Sequence, residues 1–348
     1  MDTQKTILIR NIYYMLSYAF KALKSEGFSN IGCEDFDNIH NLFSAILCQG
    51  INNQVKRGLN KTYISQSKIQ NTLRGKINVN ETILQTSKQT KKLSCTFDIL
   101  SQNNLLNRIL KTAIMILLKS DEVTPPIKTK LKKTLIFFVD VALITPSQIK
   151  WNSLNFHKSN SSYQLLIYIC HLLFDGMLID SQKQNFKLAN FIDEQRLCDL
   201  YEKFVLNYYI KHYPNLCPHS PKVDWVLNTN QKSFLPDMYT DIVLTNSQKK
   251  TTLIIDTKCY KNIVNTQFMK NSISSGNIYQ IFAYVKNRAL VDSNQVSGML
   301  LYAKTTEPVC PDVKYTMSGN DIYVKTLDLN CDFDNIRAQL NHIAENIL

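Results

Sequence analysis

A chain of 348 residues, 44% of them hydrophobic and with no long polar tract, can bury a sizeable core and suggests two domains, which excludes a disordered or fibrous protein. The formal net charge of +12 belongs almost entirely to the first half: residues 1–180 carry 22 basic and 12 acidic side chains (net +10), and 181–348 carry 18 and 16 (net +2). The most apolar run, Tyr163 to Phe174, is shorter than the roughly 20 residues a membrane span needs and ends at Asp175, so no membrane association is expected.

Residues 6–24 place Ile9, Ile12, Tyr13, Leu16, Ala19, Phe20 and Leu23 at helical spacing, and 37–52 repeat the pattern with Ile39, Leu42, Phe43, Ile46 and Leu47, predicting two packed helices. Residues 60–98 change character. Thr62-Tyr-Ile, Lys76-Ile-Asn-Val and Leu93-Ser-Cys-Thr-Phe are short β-prone stretches between polar turns, which predicts strands projecting long loops. Over the 37 residues 56–92, Lys56, Arg57, Lys61, Lys68, Arg74, Lys76, Lys88, Lys91 and Lys92 face only Glu81, a bias suited to a polyanion or an acidic protein surface. A merely solvated face is the alternative reading. Helices are predicted at 103–119 and 129–143, separated by Thr124-Pro-Pro126, and again at 161–179. The polar stretch 180–187 then marks the boundary between domains 1–185 and 186–348, with the β-rich basic projection at about 56–100.

In the second half a helix over 191–212 carries Leu197, Leu200, Tyr201, Phe204, Val205 and Tyr208 on one face, with Glu202 beside it. Two β-prone runs follow, Leu235-Pro-Asp-Met-Tyr-Thr-Asp241-Ile-Val-Leu and Thr252-Leu-Ile-Ile-Asp256-Thr-Lys258, joined by the polar Thr245-Asn-Ser-Gln-Lys-Lys250. If the turn is centred between Gln248 and Lys249, cross-strand partners sum to 497 and Asp241 lies opposite Asp256. Like charges directly opposite destabilise a sheet pair, and Leu253-Ile-Ile suggests a strand buried on both faces, so the two carboxylates call for a hard divalent cation such as Mg²⁺. Lys258 returns to the face of Asp256 by the strand period of two. Two alternatives stay open here. Asp241 and Asp256 are strand-end residues paired with Lys258, or a turn centred on Asn246-Ser247 moves Asp241 out of opposition and leaves Asp237 as the first acid. A helix at 276–289 puts Gln280 and Tyr284 on one face, Met299–Ala303 and Asp321–Leu327 extend the sheet, and 333–348 closes as a helix.

Nine cysteines with no Cys-x-x-Cys pair, and a start (Met1-Asp-Thr-Gln-Lys) unlike a signal peptide, point to reduced thiols and a cytoplasmic location. Cys217, His219 and His212 supply too few ligands for a structural zinc site. No Gly-x-x-x-x-Gly-Lys-[Ser/Thr] loop occurs, so no nucleotide is expected on this chain.

The combination Pro236-Asp237…Asp241…Asp256-Thr-Lys258 resembles the PD-(D/E)xK nuclease superfamily. Together with Arg10-Asn-Ile-Tyr-Tyr-Met-Leu-Ser-Tyr-Ala-Phe20, Leu73-Arg-Gly-Lys-Ile77, Thr96-Phe-Asp98, Asn107-Arg-Ile109, Leu200-Tyr-Glu-Lys-Phe204 and Ile278-Tyr-Gln-Ile-Phe282, it resembles the McrC family, nuclease subunits of McrBC modification-dependent (5-methylcytosine-specific) restriction systems. The resemblance implies an α+β protein: an N-terminal helical domain with the basic projection and a C-terminal α/β restriction-endonuclease-like domain. It implies a DNA endonuclease of an anti-phage defence system, acting on modified double-stranded DNA with an McrB-like hexameric AAA+ GTPase that binds the GTP. Asp241 and Asp256, joined by Glu202, would then hold Mg²⁺, with Lys258 and Gln280 completing the catalytic set. Tyr284 would support them or contact DNA, and Lys56, Arg57, Arg74, Lys76, Lys88, Lys91 and Lys92 would contact nucleic acid or the partner. Alternative functions are an assembly or DNA-binding subunit with a vestigial nuclease site, and a stand-alone repair nuclease.

Overall fold

The first apolar pattern forms helix α1 (Thr3–Ala19) and the second forms α2 (Ile39–Arg57) in the structure, a computed structural model that describes residues 3–20, 28, 31, 36–157, 160–180, 194–228, 233–259, 265–267, 270–304 and 311–348. The chain divides into two units, residues 43–188 and residues 1–42 together with 189–348. Residues 1–42 thus group with the second half of the chain, whereas the sequence boundary at 185 placed them with the first. The cause is specific side-chain chemistry: α1 packs on the helix that opens the second half, and the Asn11 side chain donates to the carbonyls of Leu329 and Cys331 at 2.8 Å each.

In the unit 43–188, strands β1 (Thr62–Gln70), β2 (Lys76–Ile77) and β3 (Leu93–Ser101) form an antiparallel sheet in the order β1-β3-β2. Between β2 and β3 lies a helix, α3 (Val79–Ser87), where sequence patterning predicted only a loop. Asn78 caps it by accepting from the backbone N–H of Glu81, and α3 buries none of its residues, so no apolar stripe marked it. Gly75 turns the chain into β2 at φ 68°, where a Cβ would stand 2.4 Å from the Thr96 carbonyl.

Helices α4 (Leu105–Lys119), α5 (Pro125–Leu135) and α6 (Tyr163–Asp180) complete this unit. Pro125 and Pro126 do not separate helices. They occupy the first turn of α5, where a missing N–H costs nothing, and α5 ends at Leu135 rather than continuing to 143. A buried polar knot ties the pieces: the Asn107 amide donates to the carbonyls of Asn60 (2.9 Å) and Gln102 (2.7 Å), and the Tyr163 hydroxyl donates to Asn107 Oδ1 while accepting from the Asn60 N–H.

The other unit is a helix-flanked sheet. After α7 (Glu194–His212) come a two-stranded ribbon, β4 (Lys222–Val223) with β5 (Met238–Tyr239), and then the hairpin β6 (Ile242–Asn246) and β7 (Thr251–Lys258). A short pair β8 (Asn265–Gln267) and β9 (Lys270–Ser272) leads to α8 (Ser275–Ala289), β10 (Gln295–Lys304), β11 (Val313–Met317), β12 (Asn320–Asp328) and α9 (Phe333–Asn346). The sheet order is β11-β12-β10-β7-β6, with β10 parallel to both β7 and β12 and the outer strands antiparallel. Central parallel strands are covered on both faces, which is why Leu253, Ile254 and Ile255 are all fully buried. One face is sealed by α8 through Ile281, Tyr284 and Val285. Helix α7 packs against β7 and brings an aromatic cluster in which Tyr18 of α1 meets Phe204, Tyr208 and Phe333.

Gly298 permits the close approach of α8, because a Cβ there would lie 2.7 Å from Val285 Cγ2 and 2.8 Å from Ile281 Cγ1. Gly298→Val is therefore expected to destabilise the protein by about 2 kcal/mol through overpacking. Urea denaturation reads this directly, and an unchanged midpoint would show that the helix can retreat without cost.

Candidate active site

The hairpin register decides which acids meet. Ile242 pairs with Ile255, Val243 with Ile254 and Leu244 with Leu253, so partner numbers sum to 497 as the turn centred between Gln248 and Lys249 predicts. The turn is fixed by Asn246, whose side-chain oxygen accepts from the N–H groups of Gln248 and Lys249 at 3.1 Å, and by Lys250 at φ 54°. Asp241 stands one residue beyond the last ladder pair, at the position opposite Asp256. Asp237 is elsewhere: exposed before the hairpin, it forms a 2.6 Å ion pair with Lys222, which holds its carboxyl below the usual range.

Asp256 is 1% exposed. Its Oδ2 lies 2.7 Å from Lys258 Nζ, a buried ion pair. Burial pushes the Asp256 carboxyl up to about 6 against the opposing pull of Lys258, and the charge of Asp241 adds to the rise. Lys258 Nζ also donates to Gln280 Oε1 at 3.0 Å, and Gln280 Nε2 donates to the Tyr284 hydroxyl at 2.8 Å. Glu202 on α7 completes the group. Its carboxyl is raised to about 7, first by burial and then by the charges of Asp241 and Asp199, with a smaller contribution from Asp256.

The structure thus brings together Asp241, Asp256, Lys258, Glu202 and Gln280. Tyr284 is 6% exposed and packed in the sheet core, where its hydroxyl accepts from Gln280 Nε2. Sequence reasoning missed Thr257, whose N–H and hydroxyl both donate to Asp241 Oδ2 at 2.7 Å. Strand alternation sets Thr257 on the face away from Asp256 and Lys258, and only the departure of Asp241 from the ladder brings the two together. The predicted contact residues Lys56, Arg57, Arg74, Lys76, Lys88, Lys91 and Lys92 lie in the other unit, all exposed; Arg74 stacks over the Phe97 ring at 4.2 Å. Tyr63, Leu73, Val79, Ile83 and Leu84 stand exposed among them. His212 is bound to the Tyr18 hydroxyl and His219 to the Cys217 carbonyl.

A buried carboxylate in a field of three mutually repelling acids, its charge only partly offset by Lys258, fits a hard cation bound through oxygen. Among the described residues no group of three or more His, Cys, Asp or Glu side chains is arranged to hold a metal ion. A cation here would therefore take one or two carboxylates directly and keep much of its water, the habit of Mg²⁺.

Residues 3–303 match the family described as McrBC 5-methylcytosine restriction system component. The type IV methyl-directed restriction enzyme EcoKMcrBC of Escherichia coli (strain K12) is 25% identical over 349 residues, covering 99% of each chain. A chain in the refined half-complex from the tetradecameric assembly of Thermococcus gammatolerans McrB AAA+ hexamers with bound McrC has the same fold at 16% identity. The TM-score is 0.51, over 96% of this chain and 76% of that one. No described helix is long and apolar enough to cross a membrane.

Proposed function

Since the chain belongs to the family of McrBC 5-methylcytosine restriction system components, we propose that it is the McrC-type nuclease subunit of such a system, hydrolysing DNA phosphodiesters at a PD-(D/E)xK site with Mg²⁺. The observation that carries this reading is the gathering of Asp241, Asp256, Lys258 and Glu202 at the open end of one hairpin. Asp241 and Asp256 would hold the cation, with Glu202 beside them. When bound, Mg²⁺ supplies charge stabilisation at the phosphate and lowers the pKa of its water.

The protein's own groups do the rest. Lys258, held between Asp256 and Gln280, sets a positive charge where negative charge builds on the phosphate oxygens. Glu202, with its carboxyl near 7, can accept or return a proton at neutral pH. The unit 43–188 would dock on an McrB-like hexameric AAA+ GTPase that binds the GTP and responds to modified DNA. Support comes from its basic sheet, whose outer strands β1 and β2 are largely exposed and which carries unburied apolar side chains such as Tyr63 and Leu73, a composition that suits an interface.

The decisive experiment reconstitutes the chain with its McrB-like partner and measures cleavage of methylated DNA with GTP, with Mg²⁺ or with chelator. Cleavage that needs all three components is expected. Cleavage that persists in chelator would remove the metal from the reading, and cleavage without partner or GTP would make the chain a stand-alone nuclease.

The raised carboxyls also predict a pH dependence. Between the unfolded values near 4 and the folded values of about 6 and 7, the folded state binds more protons, so these acids cost stability as pH rises through that window. In chelator, the melting temperature of Glu202→Gln relative to wild type is expected to climb between pH 5 and pH 7.5. A pH-independent difference in thermal denaturation would refute the assigned burial of Glu202.

A further inference from the structure

We propose that Thr257 is a positioning residue for the cation site, its hydroxyl locking the carboxylate of Asp241 so that one oxygen is committed to the protein and the other is presented to the metal. The inference rests on the nuclease reading above. Asp241 lies outside the β6–β7 ladder, so no strand pairing fixes its side chain. Both donors of Thr257, the backbone N–H and the hydroxyl, converge on the single atom Oδ2 at 2.7 Å each. Both lengths lie in the range of hydrogen bonds to a carboxylate, and two on one oxygen fix the carboxylate plane as one alone would not. Among the described residues Oδ1 of Asp241 accepts no hydrogen bond. The committed oxygen is therefore distinguished from the available one by the protein itself.

A carboxylate beside Asp256 and Glu202 would otherwise be driven to turn away from them, since rotation relieves repulsion. The Thr257 donors hold it in place before any cation arrives. The work of arranging like charges is then done in folding and is not taken out of binding. Thr257 also explains why the residue between Asp256 and Lys258 should be small, β-branched and hydroxylic. A valine would suit the strand as well but could not donate.

The test measures Mn²⁺ binding to the full chain by calorimetry, with no DNA or partner present, for wild type and for Thr257→Val, Thr257→Ser and Asp241→Asn. Valine keeps the shape and the backbone N–H and removes only the hydroxyl. A loss of about tenfold in Mn²⁺ affinity is expected, with the melting temperature unchanged. Serine should restore affinity to within about twofold, which a merely steric role would not produce, and Asp241→Asn should abolish binding. If valine melts lower than wild type, Thr257→Ala decides by the same affinity criterion. Wild-type affinity in the valine variant overturns the positioning role while leaving the nuclease reading intact. Failure of the wild-type chain to bind Mn²⁺ overturns both.

Discussion

Lys258→Ala and Asp256→Asn are each expected to lower DNA cleavage by the reconstituted complex by about 10²–10³-fold, the loss typical of removing one preorganised electrostatic group. The two variants fail for different reasons. Without its ammonium, Asp256 remains buried at 1% exposure with nothing to oppose desolvation, and its carboxyl rises further from the about 6 it holds now. Lys258→Ala should therefore lose cation affinity as well as turnover. Asp256→Asn removes one of the repelling carboxylates, so the metal-free protein should melt no lower than wild type and at neutral pH somewhat higher. Asp237→Ala serves as the contrast: it breaks an exposed pair with Lys222 and an exposed hydrogen bond from Tyr239, and should cut at close to the wild-type rate. Normal cleavage by Asp256→Asn in Mg²⁺, or loss of cleavage in Asp237→Ala alone, would sink the assignment of the first and second acids.

The triple substitution Lys88→Glu, Lys91→Glu and Lys92→Glu is expected to weaken partner engagement or DNA binding by tenfold or more at low salt, with the metal site untouched. These lysines occupy the exposed connection between α3 and β3, with Lys88 capping the helix through its backbone N–H. Glu81 is near in sequence, but its carboxylate is bonded to the Ser94 hydroxyl. Reversal changes the local charge by six and turns attraction toward a polyanion or an acidic surface into repulsion. GTP turnover and DNA affinity measured at several salt concentrations separate the targets. A shallower salt slope in the mutant marks phosphate contacts, whereas lost GTPase stimulation at constant DNA affinity marks the partner. Unchanged values of both at low salt would mean the run is a solvated face.

The site was more legible in the sequence than the domains were. Two acids and a lysine at strand spacing, with a turn whose centre could be counted, locate Asp241, Asp256 and Lys258 on one hairpin because hairpin pairing is local arithmetic. Glu202, Gln280 and Tyr284 came from family resemblance, since nothing in periodicity says which distant helix covers a given strand end. Thr257 was invisible for the opposite reason: alternation is a rule of the ladder, and Asp241 is outside it. The α3 helix was missed although Asn78 and Glu81 stand at capping distance, because an element that buries nothing leaves no apolar stripe. The face of α1 was evident from Ile9, Ile12, Tyr13 and Leu16. Its partner was not, because a stripe reports that something will cover it and is silent about what.

The bonds from Asn11 to the carbonyls of Leu329 and Cys331 also set an order of events during synthesis. Residues 43–188 are contiguous and can fold as soon as they leave the ribosome, since domains fold as units from the N-terminal side. Helix α1 emerges first of all, yet must wait for the last strand and helix before it can dock. On the proposed reading, the unit that would dock on the partner is complete in a nascent chain well before Asp241, Asp256 and Glu202 are held in place. A truncated product ending before residue 189 would then lack every acid proposed for cutting, and would engage an assembly without cleaving DNA.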